Sequence, residues 1–520
     1  MAVRAGSVRA AIAIWSGRRT RSVGDHGYAI YLGVMLVLVC VAPAMRVLWL
    51  AASSEAALAV LSGPLASMFV ATSATALWVG ALIAGRVRGP AIRPPVLTYA
   101  LARSGVPRVR AFGGSVARAG VVVVAALMLP AAFVGAVLVG NGVIGVGAAA
   151  ARVVVAALVG VIATVAWLAG QAVPRAAIAM GSGLAILVGV SLAAAGIAPF
   201  TPFGWIAGAW SGGSLASLCA LLALAVAAVA SAPTLLTRLD TYALEAQAAQ
   251  WESSTVRAYG MDFNAATAMY QGRPTLGRRI RAVRPTGSMA RTFFVRDAIG
   301  AARTPGRLVI GVCTLAAASV LIALASAAGL FGGAGMSGAG MLGLVAVLGV
   351  VGAVLAFAGL GPLTDGLRHA ANVASDLPLY GVSDARLLAL HVLFPALVGF
   401  LVLAVGAAVT ALLLGTAPLV PGFSAAVIGL LALLSRVNNA VKGPLSIALL
   451  TPIPTPVGDL SGAVRFAWSL DGVLLVSVAG GAVALAGQDL SGAAGLVVLA
   501  GTSAIMLATA ALRWRRRRAS

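Results

Sequence analysis

Charge is what this sequence has least of. Asp, Glu, Lys and Arg together make up 9% of its 520 residues, against about 25% in soluble domains. Hydrophobic residues make up 61%, and mean hydropathy is +1.03. A soluble globular chain is excluded. The apolar residues fall in runs near or beyond the roughly 20 needed to cross a bilayer as helix, so length counts membrane spans rather than domains.

Reactive side chains are as scarce. The only lysine, Lys442, is followed by Gly443 and Pro444, so the phosphate loop Gly-x-x-x-x-Gly-Lys-Ser/Thr is missing and with it that route to ATP hydrolysis. His26, His369 and His391 lie far apart, and no His-x-x-x-His, Cys-x-x-Cys or Gly-x-Ser-x-Gly pattern occurs, which leaves metal or triad hydrolysis without support. Cys40, Cys219 and Cys313 are isolated inside apolar runs; they read as core residues, without disulfide or metal spacing. The 13 acidic residues face 36 basic ones, a net charge of +23. In a membrane chain that excess raises the question of sidedness and implies no nucleic acid.

Hydropathy places a first half with spans at about 28–50, 57–85, 119–140, 142–169, 176–198 and 214–232, and a second at about 308–330, 338–362, 389–415, 417–435, 468–487 and 490–511. The expected fold is all-α: a polytopic integral membrane protein of about twelve spans in two six-helix halves. Residues 1–27 form a cytoplasmic N-terminal segment, 28–232 the first half, 233–307 a cytoplasmic linker, 308–511 the second half and 512–520 a basic cytoplasmic tail. With both termini inside, every basic residue except Arg46 and Arg152 falls in an inner segment, as the positive-inside rule requires of a multi-pass protein of the cell membrane. Those two lie toward outer span ends and read as snorkelling side chains rather than marks of a substrate path. Arg4, Arg9, Arg18, Arg19 and Arg21 precede the first run with no short apolar stretch and cleavage site, so no cleaved signal peptide is expected.

The linker opens on an interfacial helix, Thr237 to Ala258, and continues through Arg278, Arg279, Arg281 and Arg284, broken by Gly272, Pro274, Gly277 and Pro285. Anionic lipid headgroups are its simplest partner. An internal repeat follows each second span. Gly105-Val106-Pro107-Arg108-Val109-Arg110 and Gly381-Val382-Ser383-Asp384-Ala385-Arg386 align Gly, Val and Arg at one offset. Glycine can end a short helix in a left-handed cap, and Pro107 at a first helical position or Ser383 as N-cap starts the next, which makes a helical elbow. Asp365, Asp376 and Asp384 gather beside Arg368 and Arg386 in one inner loop. They read as a charge-balanced elbow more readily than as a catalytic acid and base.

Two segments combine proline with tryptophan. Pro199, Pro202, Gly204, Trp205 and Trp210 lie in an outer loop, while Pro452, Pro454, Pro456 and Trp468 lie inside by the span count, so the two halves differ here. Either segment serves as an interfacial anchor or a re-entrant element. Amphipathic stretches precede both halves, through Val8, Ala11, Ile12 and Trp15 and through Phe294, Ala298 and Ala301. The one acidic residue inside a span, Asp471, sits near its end, which argues against an ion relay. Small-residue runs, Gly181-Ser182-Gly183 and Gly332-Gly333-Ala334-Gly335, permit close helix approach.

Together these features resemble the membrane permeases of type-2 ATP-binding-cassette exporters, in the large actinobacterial-like form with two fused six-span halves. The resemblance implies an interfacial helix at Val8 to Trp15, cytoplasmic coupling elbows at Gly105 to Arg110 and Gly381 to Arg386, and an outer re-entrant element at Pro199 to Trp210. It further implies cytoplasmic ATP-binding subunits that bring ATP and magnesium, an unidentified exported substrate, and neither cofactor nor catalytic residue in this chain. The alternatives are a secondary carrier of the major-facilitator kind, whose loop signature is half present at Gly361 to Arg368, and a non-transporting scaffold or lipid-modifying enzyme.

Overall fold

The computed structural model describes residues 23–194, 196–212, 214–261, 287–331, 338–374, 381–443, 461–488 and 493–519, with single residues or pairs between them. The protein is an all-α polytopic membrane protein. Among the described residues eleven helices are long and apolar enough to cross a membrane. The stretch expected as the first span is also helical. It runs through three contiguous pieces of 14, 5 and 11 residues: α1 (Val23–Leu36), a π turn (Val37–Val41) and α2 (Ala42–Ala52). The chain divides into two compact units at residues 258–271.

In the first unit α3 (Glu55–Ser62) leads into α4 (Pro64–Val87), and α5 (Pro95–Arg103) into α6 (Arg108–Gly140). Then come α7 (Val146–Ala172), α8 (Pro174–Ala193), α9 (Pro202–Gly212), α10 (Leu215–Thr237) and α11 (Thr241–Tyr259). Prolines set the starts: Pro64, Pro95 and Pro174 stand in the first turn, where a missing N–H costs nothing. α6 has 33 residues, about 50 Å at 1.5 Å per residue, so it outreaches a hydrocarbon core of about 30 Å. Its first turns carry Arg108, Arg110 and Arg118. A core of Trp78, Val155, Val159, Phe203, Ile206, Trp210 and Leu221 joins α4, α7, α9 and α10. Lipid offers helices no hydrophobic reason to associate, so close backbone packing must do it. A Cβ added at Gly85 would lie 2.1 Å from the Trp167 carbonyl oxygen, and one at Gly170 2.1 Å from that of Leu82. Only glycine permits this crossing of α4 and α7.

The second unit contains α12 (Met289–Ala302), α13 (Pro305–Phe331), α14 (Gly338–Leu360), α15 (Asp365–Asn372), α16 (Asp384–Phe400), a π turn (Leu401–Val405) and α17 (Gly406–Leu413). α18 (Leu419–Val441), α19 (Ser461–Ala486) and α20 (Ala493–Ala519) complete it. Its core joins Leu315, Ile322, Phe357, Leu360, Phe394, Ile428 and Val476. Glycines again set the tightest crossing: a Cβ at Gly349 would lie 2.6 Å from the Gly480 carbonyl oxygen, and one at Gly480 2.6 Å from that of Gly349. Between α18 and α19, Pro454–Thr455 and Gly458–Asp459 pair as a two-residue antiparallel ladder.

Several expectations meet the structure differently. Cys219 and Cys313 are exposed on their helices rather than set in the core, because small apolar side chains are as well solvated by lipid as by protein. α19 begins at Ser461, well before the expected span, so Asp471 stands ten residues into it rather than near its end. Val8, Trp15, Arg278, Arg279, Arg284, Gly332, Gly333, Gly335, Asp376, Pro452 and Pro456 lie outside the described residues.

Candidate functional site

The first elbow is a corner between α5 and α6. α5 ends at Ser104 in extended backbone (φ −76°, ψ 156°), and Pro107 caps α6 rather than standing inside its first turn. The left-handed glycine expected at this corner is absent: Gly105 has no positive φ, and the chain bends over residues 104–106 without one. Val106 is half-buried and packs on Leu97, Leu101, Phe112, Leu236 and Leu244, whereas Gly105, Pro107 and Arg110 are exposed. Arg108 turns inward and donates to Thr241 Oγ1 at 2.7 Å.

Buried hydrogen bonds that involve no carboxylate hold this corner in place. Arg93 is buried; its Nε donates to the Ala111 carbonyl at 2.9 Å, and Thr98 Oγ1 donates to the Arg93 carbonyl at 2.7 Å. Burial lowers the Arg93 pKa from its ordinary value, and neighbouring Arg118 adds to the effect. Gln171 Oε1 accepts from the Ala91 N–H at 3.1 Å, and Gln171 Nε2 donates to Gln247 Oε1 at 2.9 Å. Gln247 Oε1 also accepts from the Gly89 N–H at 3.3 Å. These two amides staple the loop before α5 to the end of α7 and to α11. Outside them, Arg103 and Glu245 form a bidentate pair at 2.8 and 3.1 Å, and the Arg88 guanidinium stacks on Trp251 at 3.2 Å from the ring centroid.

The second elbow shares the exposed positions and buries its valine more deeply. Val382 is buried with Phe293, Ala370 and Leu387, while Gly381, Ser383 and Arg386 are exposed. Gly381 has φ +62°, the left-handed conformation expected of it. Ser383 caps α16 by its backbone conformation without a side-chain hydrogen bond, and Asp384 stands in the first turn.

Charges brace this corner. Asp297 on α12 and His391 on α16 are 8% and 1% exposed. His391 Nδ1 lies 2.6 Å from Asp297 Oδ2, and Arg296 Nη1 2.9 Å from His391 Nε2. Arginine only donates, so Nε2 is the acceptor and Nδ1 the donor to the carboxylate. A Cβ at Gly366 would sit 2.4 Å from Asp297 Oδ1, which ties α15 to the same cluster. Arg307 pairs with Asp365 at 2.8 Å. His369 has its pKa lowered by burial, with Arg296 and His391 adding to the effect. A third cluster joins α18, α19 and α20: Asp471 Oδ1 lies 2.9 Å from Lys442 Nζ, Arg513 donates to Asp471 Oδ2, and Arg513 Nη1 donates to Asn438 Oδ1 at 2.7 Å. No group of three or more metal-ligating side chains occurs among the described residues.

The proline-rich segment of the first unit becomes a short helix set into the bundle. Phe203, Ile206, Ala209 and Trp210 of α9 are buried against α4 and α7, and Trp205 Nε1 donates to the Pro199 carbonyl at 2.9 Å. Gly204 is obligatory, since a Cβ there would lie 1.8 Å from the Ala198 carbonyl oxygen. Close by stands Arg152, 3% exposed, so the snorkelling expected of it does not occur. Its head is enclosed by protein, 5.8 Å from the Trp210 ring centroid of α9. Arg152 Nε and Nη1 and Trp210 Nε1 are buried without a hydrogen-bond partner. Each such donor costs about 1–3 kcal/mol, more when charged. Arg46 is exposed on α2.

The structure therefore places both sets of elbow residues on exposed corners with one valine anchored, and leaves Arg108 and Val106 turned inward. Sequence reasoning missed Asp297, Gln171, Gln247 and the inward orientation of Arg152. Comparison with protein-family models, with curated proteins and with solved structures returns no match.

Proposed function

We propose that this chain is the membrane-spanning permease subunit of an ATP-binding-cassette exporter, with separate cytoplasmic ATPase subunits docking at its two elbows and driving outward movement of a substrate. The observation that supports this reading is the recurrence of one corner in both units: a valine packed inward as anchor, half-buried in the first and buried in the second, with an exposed glycine before it and an exposed arginine four residues after it. Such a corner on a braced pair of helices transmits a push from a bound partner to the spans behind it, biasing one arrangement of the bundle over another. In this reading the elbows face the cytoplasm of the cell membrane, both termini lie inside, and ATP and magnesium belong to the partner. The chain itself performs no catalysis.

Gentle purification of the tagged protein from its native membrane tests the proposal. A stoichiometric ATPase subunit is expected in the eluate, and Arg110→Glu or Arg386→Glu should reduce its recovery about tenfold while leaving the permease monodisperse. Unchanged recovery in both variants rejects the elbows as docking points. One observation favours a second reading, a proton-coupled carrier: the buried Asp297–His391 pair, since buried carboxylate and imidazole pairs are the parts of proton relays. Flux driven by a pH gradient and lost in Asp297→Asn, with no ATPase recovered, would select it.

A further inference from the structure

We infer that Arg152 and Trp210 form a binding site in the first unit for the anionic head of an amphiphile, a carboxylate or phosphate carried on an apolar chain. The side chains of α7 and α9 alone carry this inference, whether or not an ATPase docks at the elbows. Arg152 is 3% exposed, yet two of its nitrogens lack a hydrogen-bond partner, as does the Trp210 indole nitrogen beside it. These orphans are all donors, and no acceptor is supplied. No carboxylate of the described residues lies within ion-pair distance of Arg152. In the first unit Glu245 is committed to Arg103 and Asp240 to the Ala243 N–H. A buried guanidinium in a membrane protein calls for an anion.

The surroundings define the rest of that anion. Planar oxygens match the guanidinium fork, which grips carboxylate and phosphate alike. Ala71, Ala74, Phe203 and Ile206 belong to the same apolar cluster as Trp210, so the head would be bordered by apolar side chains, not by a shell of water, as suits an anion carried on an apolar chain. A small hydrated ion has no place there. The depth fits as well: Arg152 is six residues past the start of α7 at Val146, about 9 Å along the helix, the level at which headgroups give way to acyl chains. Such a head has two sources, a resident anionic lipid or an amphiphile in transit, and both present the same chemistry to Arg152.

The full-length protein in phosphatidylcholine nanodiscs is titrated with dodecyl phosphate, and with dodecyl maltoside as the uncharged control, following tryptophan fluorescence. A saturable change is expected with dodecyl phosphate only, absent in Trp210→Phe and shifted at least tenfold to higher concentration in Arg152→Gln. Arg152→Lys, which keeps the charge and loses the fork, should shift it severalfold, and it decides the matter if Arg152→Gln does not fold. Equal titrations of wild type and Arg152→Lys, or an equal response to dodecyl maltoside, overturn the site. Discs containing phosphatidylglycerol then separate the sources: a displaced curve identifies a resident lipid as the occupant, and an unmoved curve identifies a free amphiphile.

Discussion

The two units build the same corner and brace it by opposite means. In the first, a neutral pair of amides, Gln171 and Gln247, staples the loop before the elbow, and the one ion pair among its described residues, Arg103–Glu245, lies at the surface. In the second, a buried carboxylate and imidazole, Asp297 and His391, do the equivalent work, with Asp471 clamping α18, α19 and α20 beyond them. The anchored valine and exposed arginine recur, and so does a glycine crossing in each bundle. What recurs is what a docking partner would touch and what close packing demands. The braces differ because more than one set of hydrogen bonds can hold a corner.

The glycine crossings offer the harshest way to break that equivalence. Gly85→Leu and Gly349→Leu each force a side chain against neighbouring backbone, so each should destabilise its own bundle by about 3 kcal/mol or more. Thermal unfolding in detergent, followed by proteolysis to locate the loosened unit, reads the effect. Equal loss supports equivalent crossings; a large loss in one variant alone shows that only one bundle depends on its glycine.

The braces separate next. Asp471→Asn leaves Lys442 and Arg513 without their counter-charge and should cost about 3 kcal/mol, because Lys442 is fully enclosed. Gln247→Leu removes three neutral hydrogen bonds, the longest of them 3.4 Å, and should cost about 1–2 kcal/mol. Denaturant melts of the two variants rank them, and the reverse order would contradict a charge-braced second unit. A smaller contrast concerns the corner glycines. Gly381→Ala puts a Cβ on a backbone with φ +62° and should cost about 1 kcal/mol, whereas Gly105→Ala, in open space with ordinary φ, should change nothing measurable.

These contrasts follow what the sequence could and could not reveal. Apolar runs located the spans because lipid selects hydrocarbon residue by residue. They misplaced the start of α6 by eleven residues, since Arg108 to Arg118 continue the backbone ladder through polar turns that hydropathy does not register. The elbow was legible as a repeated Gly-Val with a following arginine; its valine anchor was not, because burial depends on residues such as Phe112 and Leu236 from distant helices. Asp297 stood unnoticed among the apolar positions of its helix, with its partner His391 94 residues away. Arg152 was misread for a related reason. A lone arginine near a span end snorkels unless another element covers it, and no pattern within α7 announces α9.

The finest contrast is a matter of pH. The hydrogen bond from Arg103, more than their Coulomb attraction, holds the Glu245 carboxyl below its ordinary value. A depressed folded pKa gives stability that is complete above the unfolded value near 4.5 and is lost as pH falls through the folded one. The pair is exposed, so the effect should be local and small. Amide exchange along α11 should be faster in Glu245→Gln than in wild type at about pH 7, and the difference should shrink as pH falls through the depressed Glu245 pKa and the wild-type carboxyl takes up its proton. A difference that persisted in acid would mean that packing of the Glu245 side chain, rather than its charge, secures α11. The Arg103–Glu245 charge would then add nothing to the brace of the first elbow, and its contrast with the buried ion pairs of the second unit would sharpen.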